Sequence, residues 1–536
     1  MAPGKVRRLD ASVSTYAQFV EVMMDNQPAI LSSFGGLLPS FWPWQSEGRA
    51  NVDFLRREFG DMVVPVVECS SNGYGEQRQR TMTLSEYLDI VNDGRQTQMH
   101  GGDGGDHGGG DDDPIFYLKD WHFQGLKRDG AVAGAAAGAA AAAEAAEETP
   151  FFFGDDWLNW WCDSRGQEDY RFVYIGPSAS WTPLHHDVLN SYSWSFNICG
   201  RKRWILFPPE ATPDLYDRHG RDLATDVRVG RVDVVTFPRL EEAPRLEILQ
   251  EPGEAIFVPS GWHHQVINVG DGSPFGGLTI SVNTNWFNGF NLARVHSFLL
   301  SELSAVREAL GHLREIMSEG EGRRGTRGCR TRGGEWERQC ELAMRTNSGL
   351  NMTDFAQIVL ARTRFLLPHR RTEESTSPIV PATVSAAVAA AEEEEEEGGE
   401  GGIAWHEEQW RMLALEQIRL VLRDLLVVAP CASHIFLDDD AAASDLDGST
   451  SGATDGNGPD WSVGNDASDR GASAGAARCS LRETLASVEA YIAGGACNGA
   501  EGGDHACCRL PASVALSNCS LEPPDGTVAT AEIINM

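Results

Sequence analysis

The stretch that decides the fold is SWTPLHHDVLNSYSWSFNICGRKRW, residues 180–204, which is answered further along the chain by PSGWHHQV, residues 259–266. At its centre His185 and Asp187 stand two positions apart. A His-x-Asp pair with a distant histidine is the smallest set that forms a facial triad, which holds one face of an Fe(II) octahedron. We predict that His185, Asp187 and His264 are the three metal ligands. The set contains no thiolate, which argues against structural zinc.

The sequence around the His-x-Asp triplet strengthens a signal that is weak on its own. A chain with 14 histidines contains about one such triplet by chance, often as an ordinary surface pair. Here the triplet is followed by residues 192–198, where aromatic or aliphatic side chains alternate with Ser193, Ser195 and Asn197. A period of two residues predicts a β-strand with two different faces.

A second strand is predicted in RKRWILFPP, residues 201–209, which follows a Cys-Gly turn. Alternation places Lys202 on the side of this strand opposite Arg201 and Arg203. A lysine in such a strand is either a solvated edge residue or an anchor for a bound anion. The pattern leaves both interpretations open.

Four segments carry a family resemblance: GPSASWTPLHHD (176–187), GRKRWILFPP (200–209), EPGEAIFVPSGWHHQV (251–266) and TISVNTNWFNGFNL (279–292). They resemble the JmjC (jumonji C) family of Fe(II)- and 2-oxoglutarate-dependent oxygenases, and upstream segments such as 59–69 and 156–177 do so too. The resemblance covers residues 16–298, with gaps at low-complexity inserts. It implies a mainly β core, a double-stranded β-helix (a jelly-roll, cupin-like JmjC barrel) that binds iron at one mouth.

The resemblance also implies roles for individual residues. His185 and Asp187 fit the His-x-Asp of the second barrel strand, and His264 fits the distal ligand five positions after the proline that ends a strand. Its neighbour His263 stands where relatives often have an aromatic residue.

The remaining site residues concern the cosubstrate. Lys202 and Thr182 fit the residues that bind the distal carboxylate of 2-oxoglutarate, and Asn283 fits a position that lines the cosubstrate pocket. Ser195 stands where a similar protein has an asparagine, which leaves its role open. The implied cofactor set is Fe(II), 2-oxoglutarate and O₂.

The activity that the resemblance implies is lysyl hydroxylation of a protein, with eukaryotic peptide chain release factor subunit 1 as the expected substrate. An N-methyl-lysine demethylase is the first alternative, because it uses the same chemistry on a methyl group. A non-catalytic cupin-like scaffold ranks last, since all three ligands and the lysine are present. Asp217, Asp222 and Trp286 are, by position alone, expected to face the substrate.

Composition divides the 536 residues into packed and unpacked regions. Residues 151–295 carry 12 basic and 18 acidic residues against a formal net charge of −34 for the chain, so most of the acidity lies outside the barrel. We predict an N-terminal α/β lead-in with Gly/Asp-rich and Ala-rich inserts (1–150), the catalytic barrel (151–295), C-terminal helices (296–367), a disordered linker (368–402), a helical segment (403–430) and a mostly disordered tail (431–536).

Apolar residues recur at spacings of three and four along residues 291–317 and 405–428, which predicts amphipathic helices. These helices either cover the core or form a homo-oligomer interface. The residues after 428 are expected to be dispensable for activity.

Partners and compartment are constrained by what the sequence contains. The 11 cysteines are scattered and require no disulfide, which suits a reducing compartment. Apolar runs are too short to span a membrane, and the N-terminal residues lack a signal-peptide core. The arginine–glycine run at 320–334 is more typical of a linker than of an RNA contact. We therefore expect a cytoplasmic protein without membrane or specific nucleic-acid partners, with the nucleus as the alternative compartment.

Overall fold

A computed structural model describes residues 6–69, 78–92, 115–123, 149–270, 277–314, 334–367, 402–428 and 481–498. The strands are β1 (Arg7–Asp10), β2 (Ala29–Ser32), β3 (Gln45–Ser46), β4 (Arg49–Ala50), β5 (Val63–Cys69), β6 (Gln79–Thr83), β7 (Ile115–Trp121), β8 (Arg171–Pro177), β9 (Trp181–His185), β10 (Tyr192–Cys199), β11 (Lys202–Phe207), β12 (Leu246–Gln250), β13 (Ala255–Val258), β14 (His263–Asn268) and β15 (Leu278–Trp286). The α-helices are α1 (Tyr16–Asp25), α2 (Val52–Phe59), α3 (Leu84–Asn92), α4 (Trp157–Arg165), α5 (Leu292–Ala309), α6 (Gly334–Ser348), α7 (Met352–Leu366), α8 (Gly402–Val428) and α9 (Leu481–Asn498). The predicted Gly/Asp-rich and Ala-rich inserts lie outside the described residues, as do residues 368–401 of the predicted linker (368–402) and residues 431–480 and 499–536 of the predicted tail. Gly402 begins α8, and α9 lies within the predicted tail.

Two sheets form the core of the fold. The long sheet runs in the order β1-β2-β13-β10-β15-β8-β7-β5-β6, and the short sheet runs β12-β11-β14-β9. Within this arrangement β8, β10, β13 and β15 lie in the long sheet and β9, β11, β12 and β14 in the short one, all paired antiparallel. This strand order is that of a jelly roll, which confirms the predicted double-stranded β-helix.

The N-terminal lead-in extends the long sheet at both edges. β1 and β2 continue it beyond β13, while β7, β5 and β6 continue it beyond β8. A capping box starts α3: the Thr83 backbone N–H donates to Glu86 Oε2 at 2.8 Å, and the Glu86 N–H donates to Thr83 Oγ1 at 3.2 Å. The pairing of β2 with β13 and of β7 with β8 covers the edges of the barrel sheet, which would otherwise expose unpaired backbone groups.

Strand β10 has the two predicted faces, but both are buried. The apolar face joins the main core, where Trp194 stacks on Phe153 with ring centres 5.0 Å apart. Ser193 and Ser195 point to the opposite side, toward the space between the two sheets. The N-terminal lead-in packs against the apolar face of β10. The two faces therefore differ in polarity, although both are buried.

The C-terminal helices form a second core against α4. Leu415, Ile418 and Leu422 of α8 and Val488 of α9 are fully buried there, together with apolar residues of α5, α6 and α7. The apolar face of α8 therefore covers this core, and a homo-oligomer through these helices stays a prediction. The helix predicted at 291–317 ends at Ala309, before a 3-10 turn. Among the described helices, none is both long and apolar enough to cross a membrane.

Candidate functional site

The three predicted ligands converge at one end of the barrel. His185 ends β9, Asp187 follows it by two residues, and His264 lies opposite His185 on the neighbouring strand β14. Their ligand atoms lie within 4.8 Å of one another. Strand pairing thus brings together residues that are almost eighty positions apart in the sequence.

Hydrogen bonds fix the orientation of both imidazole rings. His185 Nδ1 lies 2.8 Å from the carbonyl oxygen of Pro183, and His264 Nδ1 lies 3.0 Å from that of Trp262. Since a carbonyl only accepts, each Nδ1 carries the proton and each Nε2 keeps its lone pair. Burial, and then the neighbouring His264 ring, hold the pKa of His185 well below its ordinary value. With Nδ1 of each ring donating to a carbonyl, Nε2 is the nitrogen that each ring has left for a metal.

The Asp187 carboxylate is oriented through both of its oxygens. Ser193 Oγ donates to Oδ2 at 2.7 Å, and Asn285 Nδ2 donates to Oδ1 at 2.8 Å. Such partners of a ligating carboxylate hold its geometry. The sequence interpretation missed both roles, although the alternation of β10 already placed Ser193 on the polar face.

Lys202 lies deep in the same cavity. The residue is 2% exposed, and its Nζ donates to Ser281 Oγ at 2.5 Å. Desolvation lowers the pKa of Lys202 to about 7, because burial disfavours the charged form. The solvated-edge interpretation is therefore wrong, and a buried ammonium of this kind suits an anionic ligand.

One cavity of about 470 Å³ connects the triad to Lys202. Thr182 and Asn283 line it as well. Its polar groups converge from both sheets, as is typical of small-molecule sites. The cavity can therefore hold a small dianion between a metal at the mouth and an ammonium at the base.

Comparison with known proteins agrees with this geometry. Residues 16–292 match the model of the cupin-like domain family. The human "2-oxoglutarate and iron-dependent oxygenase JMJD4" is 38% identical over 374 residues, which make up 68% of this chain and 78% of that protein.

This chain belongs to the JmjC-type iron- and 2-oxoglutarate-dependent oxygenases.

Two further relatives have names that state an activity. The "Arginine-specific demethylase JMJ20" of Arabidopsis thaliana is 32% identical over 369 residues, 66% of this chain and 69% of that protein. The "Bifunctional arginine demethylase and lysyl-hydroxylase psr-1" of Caenorhabditis briggsae is 35% identical over 154 residues, 27% of this chain and 36% of that protein.

The donor set fits the iron of a JmjC oxygenase. Two imidazole nitrogens and one carboxylate oxygen, from His185, Asp187 and His264, are the donor set typical of non-haem Fe(II), and these three residues would hold the iron. Lys202 and Thr182 would bind the far carboxylate of 2-oxoglutarate, since both line the cavity beyond the triad. A charge-assisted bond to Lys202 is strong in this buried setting.

Asn283 is held by the polar network of this JmjC site. Its Oδ1 accepts from Ser195 Oγ at 2.7 Å and from Ser281 Oγ at 3.2 Å. With the oxygen occupied in this way, the amide nitrogen is the group left to donate to a cosubstrate. Ser195, whose role the sequence left open, thus orients Asn283.

The neighbouring histidine, His263, is placed differently. Its Nδ1 lies 3.4 Å from Thr212 Oγ1, and its ring centre lies 5.1 Å from that of His186. Burial lowers the pKa of His263 to about 3. The geometry favours His264 as the distal ligand, as the spacing from the proline predicts.

Two of the groups expected to face the substrate do not do so. Trp286 is fully buried on the outer side of β15, where its ring packs against Phe153 and Tyr192. Since Asn285 points into the cavity, the next residue must point away from it. The Asp217 carboxylate accepts three backbone N–H groups of its own loop, which lower its pKa and commit it to shaping that loop. Asp222 is exposed.

Proposed function

We propose that this oxygenase is a peptidyl-lysine hydroxylase and that its substrate is eukaryotic peptide chain release factor subunit 1. The observation that carries the proposal is the likeness to the JMJD4 oxygenase over 68% of the chain, combined with a complete triad and a buried lysine in one cavity. The name of one further relative includes lysyl hydroxylation. Because translation termination takes place in the cytoplasm, we place the enzyme there.

The chain's own residues would divide the work as follows. His185, Asp187 and His264 would hold the metal by one face, while Lys202, Thr182 and Asn283 would hold 2-oxoglutarate. Bound iron, with 2-oxoglutarate and O₂, supplies the oxidation of an unactivated C–H bond and releases succinate and CO₂.

The protein contributes geometry and a restricted solvent environment. Ser193 and Asn285 prevent the Asp187 carboxylate from rotating, and the two backbone carbonyls hold the imidazoles. With these side chains fixed, a bound metal would stay in one place, and the substrate carbon could be presented at a defined distance from it. The polar interior replaces water around the charged cosubstrate.

A second candidate is demethylation of a protein N-methyl group. It is favoured by the relative named as an arginine-specific demethylase, which matches 66% of this chain; the sequence alone favoured N-methyl-lysine. Oxygen insertion into an N-methyl C–H bond gives an unstable hydroxymethyl amine that releases formaldehyde. The two activities therefore differ in their products.

The test is incubation of purified release factor subunit 1 with this chain, Fe(II), 2-oxoglutarate and O₂, followed by proteolysis and mass spectrometry. We expect the mass of one oxygen on a lysine, and the Asp187→Ala variant should leave the factor unmodified. An unmodified factor alongside formaldehyde release from methylated peptides would replace the hydroxylase proposal with the demethylase.

A further inference from the structure

Asp120 has an unusual backbone conformation beside the metal site. Its φ is +61°, in the left-handed region, and it lies where the pairing of β7 with β8 shifts between Leu118 and Trp121. A residue other than glycine in this region is uncommon and costs energy, so such positions often serve a function. The irregularity turns the Asp120 side chain toward Tyr174 on the neighbouring strand.

The Asp120 carboxylate is linked directly to the cavity. Tyr174 lines the cavity, and its hydroxyl donates to Asp120 Oδ1 at 2.6 Å. The same Tyr174 ring lies 5.5 Å from Lys202 Nζ. The Asp120 side chain is 47% exposed, so its carboxylate is accessible from solvent while Tyr174 links it to the cavity.

An ammonium group from the chain itself already lies beside this carboxylate. Lys119 Nζ is 3.6 Å from Asp120 Oδ2, and the Lys119 side chain is 17% exposed. Lys119 is also close enough to the metal site for its charge to act on His185, after the larger effects of burial and the His264 ring. The free enzyme thus holds a lysine side chain beside the Asp120 carboxylate.

A cationic substrate needs an anionic partner that the metal does not use. Of the described residues that line the cavity, Asp187 is the one carboxylate, and both its oxygens already accept hydrogen bonds. Asp120 offers two oxygens, of which Tyr174 occupies one. A carboxylate accepts several hydrogen bonds, so Oδ2 can take an ammonium.

We propose that Asp120 is the receptor for the ammonium group of the substrate lysine, and that Lys119 occupies this receptor until the substrate displaces it. The inference rests on the proposed lysyl hydroxylase function and names the residue that selects lysine. Tyr174 positions the carboxylate. Of these two neighbouring residues on β7, Asp120 therefore strengthens substrate binding and Lys119 weakens it.

The experiment measures peptide affinity without turnover. The full-length protein is loaded with Mn(II) and 2-oxoglutarate, and fluorescence anisotropy follows a labelled release-factor peptide that carries either lysine or Nε-acetyl-lysine. Asp120→Asn should raise the dissociation constant of the lysine peptide by about tenfold or more, because a hydrogen bond to a charged group is lost. It should leave the acetylated peptide unchanged.

Lys119→Met is the matched variant. Removing the internal competitor should lower the dissociation constant of the lysine peptide by about two- to fivefold, the range of a partly exposed ion pair. If Asp120 and Lys119 form only a structural ion pair, both substitutions break the same contact and shift the affinity in the same direction. That result, or an unchanged affinity in Asp120→Asn with a native melting temperature, would overturn the inference.

Turnover measurements distinguish failure of the proposed hydroxylase function from failure of the Asp120 inference. If the native enzyme inserts no oxygen into the lysine peptide, the hydroxylase proposal falls and takes this inference with it. If the native enzyme hydroxylates the peptide and Asp120→Asn does so with an unchanged KM, the inference alone is wrong. A KM that rises in Asp120→Asn and falls in Lys119→Met, at similar kcat, supports the receptor.

Discussion

Replacement of Lys202 by methionine tests the cosubstrate site most directly. The ammonium is 2% exposed and has a hydroxyl, Ser281 Oγ, as its neutral partner. Removal of the charged partner of a buried carboxylate costs about 3–5 kcal/mol. At about 1.4 kcal/mol per decade, the apparent KM for 2-oxoglutarate should rise by roughly two to three and a half orders of magnitude.

The pH dependence of the native enzyme provides a second measure of Lys202. Its pKa in the free site is about 7 because of burial, and the protonated form binds the carboxylate. The affinity for 2-oxoglutarate is therefore highest well below pH 7 and falls as the pH rises. The reason is that the apparent dissociation constant equals the intrinsic constant divided by the fraction of Lys202 that is protonated. Between pH 7 and pH 8 the dissociation constant should increase about fivefold, and Lys202→Met should not show this dependence.

The unloaded protein should respond in the opposite sense. Lys202 has a pKa below that of an unfolded lysine, so the unfolded state binds more protons between about pH 7 and pH 10 and native stability rises with pH there. Lys202→Met removes a desolvated charge, so its melting temperature should exceed that of the native protein at pH 7, by a margin that shrinks toward pH 9. The measurements are isothermal titration with 2-oxoglutarate under Mn(II) and thermal melts.

Arg203→Met is the control for this prediction. Arg203 is the next residue on the same strand, but it faces outward and pairs with Glu247. Its replacement should leave the KM for 2-oxoglutarate unchanged. An unchanged KM in Lys202→Met, or an equal increase in both variants, would refute the assignment of the anchor.

Three further predictions concern the metal and the chain's C-terminal region. His264→Ala should abolish 2-oxoglutarate turnover while His263→Ala retains most of it, and the reverse order in a succinate assay would exchange their roles. Asn285→Ala should weaken Mn(II) binding by about 10–100-fold, measured by titration followed by paramagnetic resonance, and undiminished affinity would remove it from the site. A chain truncated after Val428 should melt at a lower temperature than one truncated after Asn498, because α9 buries Val488 in the second core; equal melting temperatures would contradict this.

The last of these concerns stability, whereas the sequence-based expectation that residues after 428 are dispensable concerns activity and stays a prediction. In the structure Val488 and Thr484 are buried, and Arg423 of α8 pairs with Glu489. Contacts across a long low-complexity stretch leave no local pattern, so sequence periodicity could not reveal that α9 belongs to the core.

The convergence of His185, Asp187 and His264 could be predicted from a short motif and from the family resemblance. His185 and Asp187 share a triplet, the resemblance gives the spacing of His264 from its proline, and alternation along β11 gives the side of Lys202. The prediction that Trp286 faces the substrate was wrong because it ignored the alternation of β15. Asn283 and Asn285 point into the cavity, so Trp286, an odd number of residues away from both, points to the other side of the strand.

The partners of the ligands were not predictable, because they depend on strand pairing. Asn285 reaches Asp187 across 98 positions of sequence, and Tyr174 reaches Asp120 across 54. Asparagine and aspartate at those positions are individually unremarkable in the sequence. Only the register of β15 beside β10 and of β7 beside β8 gives them a role.

The N-terminal lead-in is part of the metal site through one chain of hydrogen bonds. Asn26, in a left-handed conformation at the end of α1, accepts from Trp262 Nε1 at 2.8 Å through its carbonyl and donates from Nδ2 to the Ser260 carbonyl at 3.0 Å. These bonds fix the turn whose Trp262 carbonyl orients His264. The distal ligand is thus held from a helix more than two hundred residues upstream. Without α1, which lies within the matched residues 16–292, the turn before β14 would lose the contacts that direct His264 toward the other two ligands.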